Sequence, residues 1–307
     1  AFMDSKGLIE PETWRQFCSP TVLLLQLDQY VWHSGELLTA EVQVANYGPD
    51  SWPDAVPAWT LLDENGAGLA AGELPAQTIP QGKLASLGAF SVDLSRFDAP
   101  AKRTLEIRLK GTEIVNRYPV WIYPNRPERW SVPGAHVRGK LDVATVSLLE
   151  RGERVLLLPS RRDVKLGVEG AFAPDFWNYG MFRGIAEAEG TPVAPGTLGM
   201  LCDPRHPALA EFPTDSHGDW QWWRLLTFSR PVILDDTPGD YRPIVQMIDN
   251  VDRNHKLGVL FEAKVGAGRL LVCTMDLLEL RHKPEAKQLM ASLLRYVASD
   301  RFDPQTE

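Results

Sequence analysis

Cysteine is scarce: the chain has three, Cys18, Cys202 and Cys273. They are neither paired nor clustered as a disulfide framework or a structural zinc site demands. Long apolar runs are missing as well. Stretches such as Thr21 to Leu27 and Val155 to Leu158 fall far short of the roughly 20 residues that cross a bilayer, so no membrane span is expected. A basic stripe is also lacking, because 32 Lys and Arg against 40 Asp and Glu leave a formal charge of -8. That balance offers no footprint for a phosphate backbone, and nucleic acid is not an expected partner. Ala1 to Gly7 carries neither the basic start nor the apolar core of a secretory signal, so either the protein is cytosolic or the chain begins inside a longer one.

The chemistry-bearing motifs are absent too. No Ser or Cys stands on a glycine-flanked strand-to-helix turn of the kind that exposes a nucleophile. Gly266-Ala267-Gly268 lacks the further glycine, Lys and Ser/Thr that cradle a nucleotide, and it reads as a hairpin turn. His206 and His217 lie near Asp203, Asp215 and Asp219, but Pro204, Pro207 and Pro213 break the segment into loops and the spacing fits no metal-ligand pattern. No metal and no cofactor are expected. Asp235 and Asp236 are adjacent on a strand pattern and so face opposite ways, which suits a strand end better than an acid–base pair.

What is present is a globular composition, 44% hydrophobic and 23% charged, over 307 residues, enough for two domains. Glu10 to Phe17 reads as a short helix with Pro11 at its start, and residues 1–20 as a linker. From Thr21 the pattern changes to alternating strands, clearest over Leu38 to Tyr47. Others are predicted at Trp59 to Asp63, Gly88 to Leu94, Thr104 to Lys110 and Arg117 to Tyr123, giving an immunoglobulin-like antiparallel β-sandwich over residues 21–124. Pro124-Asn125-Arg126-Pro127 breaks the pattern. Residues 125–307 then read as an α/β domain of flavodoxin-like type. Its helices are predicted at Asp142 to Glu150 and Pro284 to Ala298, and its strands at Arg154 to Pro159, Leu198 to Cys202, Pro231 to Asp235, Leu257 to Lys264 and Gly268 to Thr274.

Two aromatic loops are the most informative local feature. Asp175, Trp177 and Asn178 in one, and Asp219, Trp220, Trp222 and Trp223 in the other, set large rings beside hydrogen-bonding side chains, a composition suited to stacking on sugar faces. With His217 and Asp236 they form the candidate carbohydrate-contacting set. The alternative is that Trp220 and Trp223, three apart on a helix, bury against the sheet or a neighbouring domain.

The ordered motifs Gly199-Met200-Leu201-Cys202-Asp203-Pro204-Arg205-His206-Pro207, Phe212-Pro213-Thr214, Trp220-Gln221-Trp222-Trp223, Arg242-Pro243-Ile244-Val245-Gln246 and Arg253-Asn254-His255-Lys256 resemble the carboxyl-terminal part of bacterial family 2 glycoside hydrolases, the β-galactosidase-like enzymes. Asp4-Ser5-Lys6-Gly7 and Phe17-Cys18-Ser19-Pro20 look like the exit from a catalytic barrel. The resemblance implies that both catalytic glutamates belong to that barrel and that no residue here is catalytic. It also implies a class I glutamine amidotransferase-like α/β domain without its Cys elbow. The chain is then expected to be a non-catalytic accessory region whose partners are the barrel, carbohydrate and, in a subunit-contact role, further copies of itself. Periplasmic or secreted placement follows from that resemblance alone. A stand-alone carbohydrate-binding protein, and an independent hydrolase using Asp236 or His217, are the rival expectations.

Overall fold

The computed structural model describes residues 7–127, 130–170, 179–191, 196–251 and 253–306. It resolves two compact units, Ala1–Asn125 and Arg126–Glu307.

The first unit opens with α1 (Pro11–Arg15) and continues through ten strands: β1 (Thr21–Gln26), β2 (Val31–His33), β3 (Leu37–Asn46), β4 (Trp52–Ala55), β5 (Pro57–Leu62), β6 (Gly68–Glu73), β7 (Gln77–Ile79), β8 (Lys83–Asp93), β9 (Ala101–Leu109) and β10 (Val115–Tyr123). One sheet runs β1-β3-β8, another β2-β10-β9-β5-β6, and β4 pairs with β7. Alternation decides which faces meet. In β3, Leu38, Ala40, Val42 and Val44 point into a core that also takes Leu105, Ile107, Val120 and Ile122 from the larger sheet. The expected all-antiparallel sandwich needs correction at one edge, because β2 pairs with β10 in parallel. β8 is bulged: Val42 opposes Gly88 and Gln43 opposes Ser86, so Leu87 is the extra residue. Gly88 takes φ +110, which an L side chain rarely adopts. The Leu87 side chain is buried, and the Gln77 amide donates to its carbonyl at 2.9 Å.

A buried carboxylate sits on β9. Glu106 accepts from Arg108 Nε at 2.8 Å on one oxygen and from Arg117 Nε at 2.8 Å on the other. Both lone-pair sets are therefore used by guanidinium groups whose outer faces remain in water.

The second unit contains β11 (His136–Arg138), α2 (Val143–Glu150), β12 (Arg154–Leu157), α3 (Tyr179–Glu189), β13 (Thr197–Cys202), α4 (Trp220–Thr227), β14 (Val232–Ile233), β15 (Val245–Asp249), β16 (Lys256–Val265), β17 (Gly268–Cys273) and α5 (Pro284–Ala298). The sheet order is β11-β12-β17-β16-β15-β13, with β14 also on β16. Only β11, β12 and β17 are parallel; β17-β16-β15-β13 is antiparallel throughout. A flavodoxin-like sheet would be parallel across its width, so that expectation is replaced by a mixed sheet. Its cause lies partly in Gly266, at φ +61, which closes β16 onto β17 as a tight hairpin. α5 matches the predicted span residue for residue and buries Leu289, Leu293, Tyr296 and Val297. The strand predicted over Pro231 to Asp235 shrinks to β14, and β15, with Val245 and Met247 facing inward, is not among the predicted strands.

Glu285, in the first turn of α5, is 5% exposed; its ion pair with Arg224 is long, at 4.0 Å, and the charges of Arg224 and Lys283 only partly offset its burial. Burial pushes its carboxyl above the ordinary carboxylate range. The folded chain therefore holds this proton to higher pH than the unfolded chain does, and stability declines as pH rises through that window. Glu285→Gln should raise the melting temperature at pH 7.5 by a few degrees, about what 1 kcal/mol gives in a domain of this size. The gain should vanish below the carboxylate range, where Glu285 is protonated in both states. Calorimetry at both pH values checks this, and a Gln variant less stable at pH 7.5 would contradict it.

Candidate functional site: an exposed indole pair on α4

Asp219 caps α4, its carboxylate accepting from Gln221 N at 3.1 Å. The helix then buries Gln221, Trp222, Leu225 and Leu226, a stripe of adjacent pairs one turn apart. Gln221 Nε2 donates to the Pro213 carbonyl at 2.8 Å, and Trp222 Nε1 donates to Thr214 Oγ1 at 2.7 Å. Phe212 meets the Trp222 ring edge-on at 5.0 Å. The Phe212 to Thr214 loop is thereby fastened to the inner face of the helix.

This phase separates the three indoles. Trp222 leaves the carbohydrate-contacting set, since a fully buried indole has no face to offer a sugar. Trp220 and Trp223, members of that set whose alternative was burial against the sheet or a neighbouring domain, are 54% and 49% exposed and are neighbours on the outer side, so the alternative falls. The polar Gln221 takes an inward position because its amide has a carbonyl to meet there.

His217 is exposed, and its backbone bridges Leu201 at the edge of β13. It shares that edge with Asp219, whose charge reaches the Cys202 thiol. Asp236 is not brought to them. It follows β14, three strand positions from β13 by way of β16 and β15, or about 14 Å at the usual strand spacing. Its neighbour Asp235 is the engaged one: Oδ2 lies 2.6 Å from His255 Nδ1 and Oδ1 accepts from Lys256 N at 2.7 Å. These bonds, His255 first, hold the Asp235 carboxyl below the usual range. Nothing local in the sequence announces a contact between residues twenty apart. Asp175, Trp177 and Asn178 lie outside the described residues.

The thiols are unsuited to nucleophilic work. Burial, with the charges of Asp219, Asp203 and Asp215 adding to it and a hydrogen bond with Thr214 opposing, pushes Cys202 up to about 11. Cys273, fully buried in β17, is pushed up to about 12 by the same cause. Neither is a thiolate near neutral pH. Among the described residues no group of three or more His, Cys, Asp or Glu side chains is placed to hold a metal ion. No described helix is long and apolar enough to cross a membrane. A cavity of about 1080 Å³ beside α1 in the first unit collects none of the predicted site residues.

Comparison with curated proteins finds no match. Among solved structures, an alkylpurine DNA glycosylase, AlkC, of Pseudomonas fluorescens is 14% identical over 34% of this chain and 30% of its own, with a TM-score of 0.28. The CARDB domain of a Pyrococcus furiosus protein is 12% identical over 34% of this chain and 94% of its own, with a TM-score of 0.27. The sporulation control protein Spo0M of Bacillus subtilis is 11% identical over 36% and 51%, with a TM-score of 0.26. Two family models match: a domain of unknown function, DUF8488, over residues 36–124, and another, DUF8487, over residues 136–307. Since the latter takes in more than half of the sequence, the chain belongs to the DUF8487 family.

Proposed function

We propose that this chain is a non-catalytic accessory region of a family 2-like glycoside hydrolase, contributing glycan contact beside a catalytic barrel that lies outside it. The observation that carries the reading is the pair of exposed indoles, Trp220 and Trp223, held side by side on a helix whose inner face is fixed by Trp222 and Gln221. Two rigid aromatic faces next to each other suit the apolar face of a sugar ring and cost little conformational entropy on binding. In this reading the first unit is an immunoglobulin-like spacer. The second is an amidotransferase-like α/β domain that keeps a parallel trio, β11-β12-β17, and has no reactive thiol. The ordered sequence motifs support the family, and the raised Cys202 and Cys273 argue against amidotransferase chemistry. A stand-alone carbohydrate-binding protein would use the same indole pair.

Four outcomes follow. Purified chain should not hydrolyse nitrophenyl β-glycosides, and turnover that tracks the protein through purification would defeat the accessory reading. Galactoside titration should change the tryptophan emission of the wild type and leave Trp220→Ala/Trp223→Ala unchanged, whereas an identical response in the variant would remove the indole pair from recognition. Trp222→Ala should cost about 3–5 kcal/mol of stability as a buried aromatic truncation, against less than about 0.5 kcal/mol for either exposed indole, measured by urea unfolding. Iodoacetamide at pH 7 should modify exposed Cys18 and spare Cys202 and Cys273 in the folded chain; rapid alkylation of Cys202, read by mass spectrometry, would contradict the burial argument.

A further inference from the structure

A second recessed place in the second unit lies apart from the indole pair. A cavity of about 570 Å³ opens between the end of β13, the segment leading into β15, the middle of β16 and the carboxyl-terminal tail. That volume falls within the range of pockets that enclose a small molecule.

Its walls are fastened. Phe302 is wholly buried with its ring edge-on to Tyr296 at 5.2 Å, Lys264 N donates to the Thr306 carbonyl at 2.7 Å, and Asp303 pairs with Arg269 at 3.2 Å. Tyr296 Oη donates to Glu262 Oε2 at 2.7 Å, and Tyr241 Oη donates to the Glu262 carbonyl at 2.8 Å. His206 accepts from Ala208 N on Nδ1 at 3.2 Å, which assigns the ring proton to Nε2, and burial keeps the imidazole neutral. Once these bonds are made, hydrogen-bonding capacity remains. Glu262 Oε1, His206 Nε2–H, the Gln246 amide and the Asp240 carboxylate have no protein hydrogen-bond partner among the described residues, and all four residues line the cavity.

The residual set decides the ligand class. Donors and acceptors are mixed, and Tyr241, Leu201 and Ile244 supply apolar surface between them. Four carboxylates, Asp203, Asp240, Glu262 and Asp303, line the cavity with Arg242, whose guanidinium is partly spent on the carbonyls of Gly239 and Tyr241; Arg205 and Arg269 pair with Asp203 and Asp303, which leaves Asp240 and Glu262 without a cationic partner among the described residues. Phosphates, uronates and other anions are repelled. A divalent cation finds no converging ligand group among the described residues. We infer that this pocket binds a neutral, polyhydroxylated ring of monosaccharide size, with Gln246, Asp240, Glu262 and His206 as the hydroxyl-reading groups. The inference deepens the carbohydrate reading above and rests on it, but it places recognition in a pocket distinct from the α4 surface.

Saturation-transfer NMR on the whole chain tests it with methyl β-galactoside, methyl β-glucoside, methyl β-mannoside and xylose as probes, and with methylammonium and calcium as charged controls. The expected result is a saturable signal from at least one neutral sugar. That signal should persist in Trp220→Ala/Trp223→Ala and weaken about tenfold or more in affinity in Asp240→Ala and in Gln246→Ala. Asp240 is on an exposed loop, so its variant should fold normally, and an unchanged melting temperature verifies this. A signal abolished in the indole variant and intact in Asp240→Ala and Gln246→Ala overturns the pocket while leaving the accessory reading in place. Silence from every sugar, or binding of methylammonium or calcium in their stead, overturns the pocket as well.

Discussion

The second unit depends on β17 being hydrogen-bonded in two senses at once. Along one side it runs parallel to β12, from Arg269 beside Arg154 to Val272 beside Leu157; along the other it runs antiparallel to β16, from Gly268 beside Val265 to Cys273 beside Leu260. A strand so placed is hydrogen-bonded along both edges, and of its side chains only Arg269 keeps a partly exposed position. Leu271 and Cys273 are accordingly fully buried. The same constraint makes Cys273 inert, since no base and no solvent reach a thiol in the middle of a sheet. The antiparallel half of the sheet, through β15 and β13, carries the loops that hold both proposed recognition surfaces.

Polar burial distinguishes structure from opportunity in this chain. Glu106 has two guanidinium partners, and Asp249 has Arg253 Nη2 at 2.6 Å and His255 N at 3.0 Å. Asn46 uses its carbonyl on Thr21 Oγ1 and its amide on the Asp50 carbonyl. Such groups are satisfied and hold loops or strands in register. Glu262 differs, because one oxygen is held by Tyr296 while the other has no protein partner among the described residues, and the residue lines a cavity. A half-satisfied carboxyl beside a neutral imidazole and an uncommitted amide is a different arrangement from a structural ion pair.

Much of this was legible before any coordinates. α5 shows itself by its 3.6-residue stripe and its proline start, β3 by its alternation, and the β16–β17 turn by its glycines. The losses have physical reasons. β2 is three residues long, so its parallel pairing leaves no pattern, and β15 lies in a stretch where Asp, Pro and Gly dominate the approach. On α4, hydropathy alone cannot choose among three indoles. The phase is fixed by Gln221 and Trp222 finding Pro213 and Thr214, which are eight residues upstream and carry no marker of that role. The dyad of Asp235 and His255 is likewise a product of β14 lying along β16. Of the residues proposed for recognition, the exposed indoles stood out by composition, whereas Glu262, Gln246 and His206 line one cavity only through sheet order and the docking of the tail.

The irregularity in β8 has a consequence for how copies of this protein meet. β8 is the outer strand of its sheet and eleven residues long, the kind of edge along which another chain can zip. The surplus Leu87 interrupts the repeat halfway, Gly88 turns the backbone out of line, and the Gln77 amide already occupies the carbonyl that an incoming strand would use. An intruding segment could match the rim for only a few residues before losing register, so a kink that helps fill the core also discourages polymerisation.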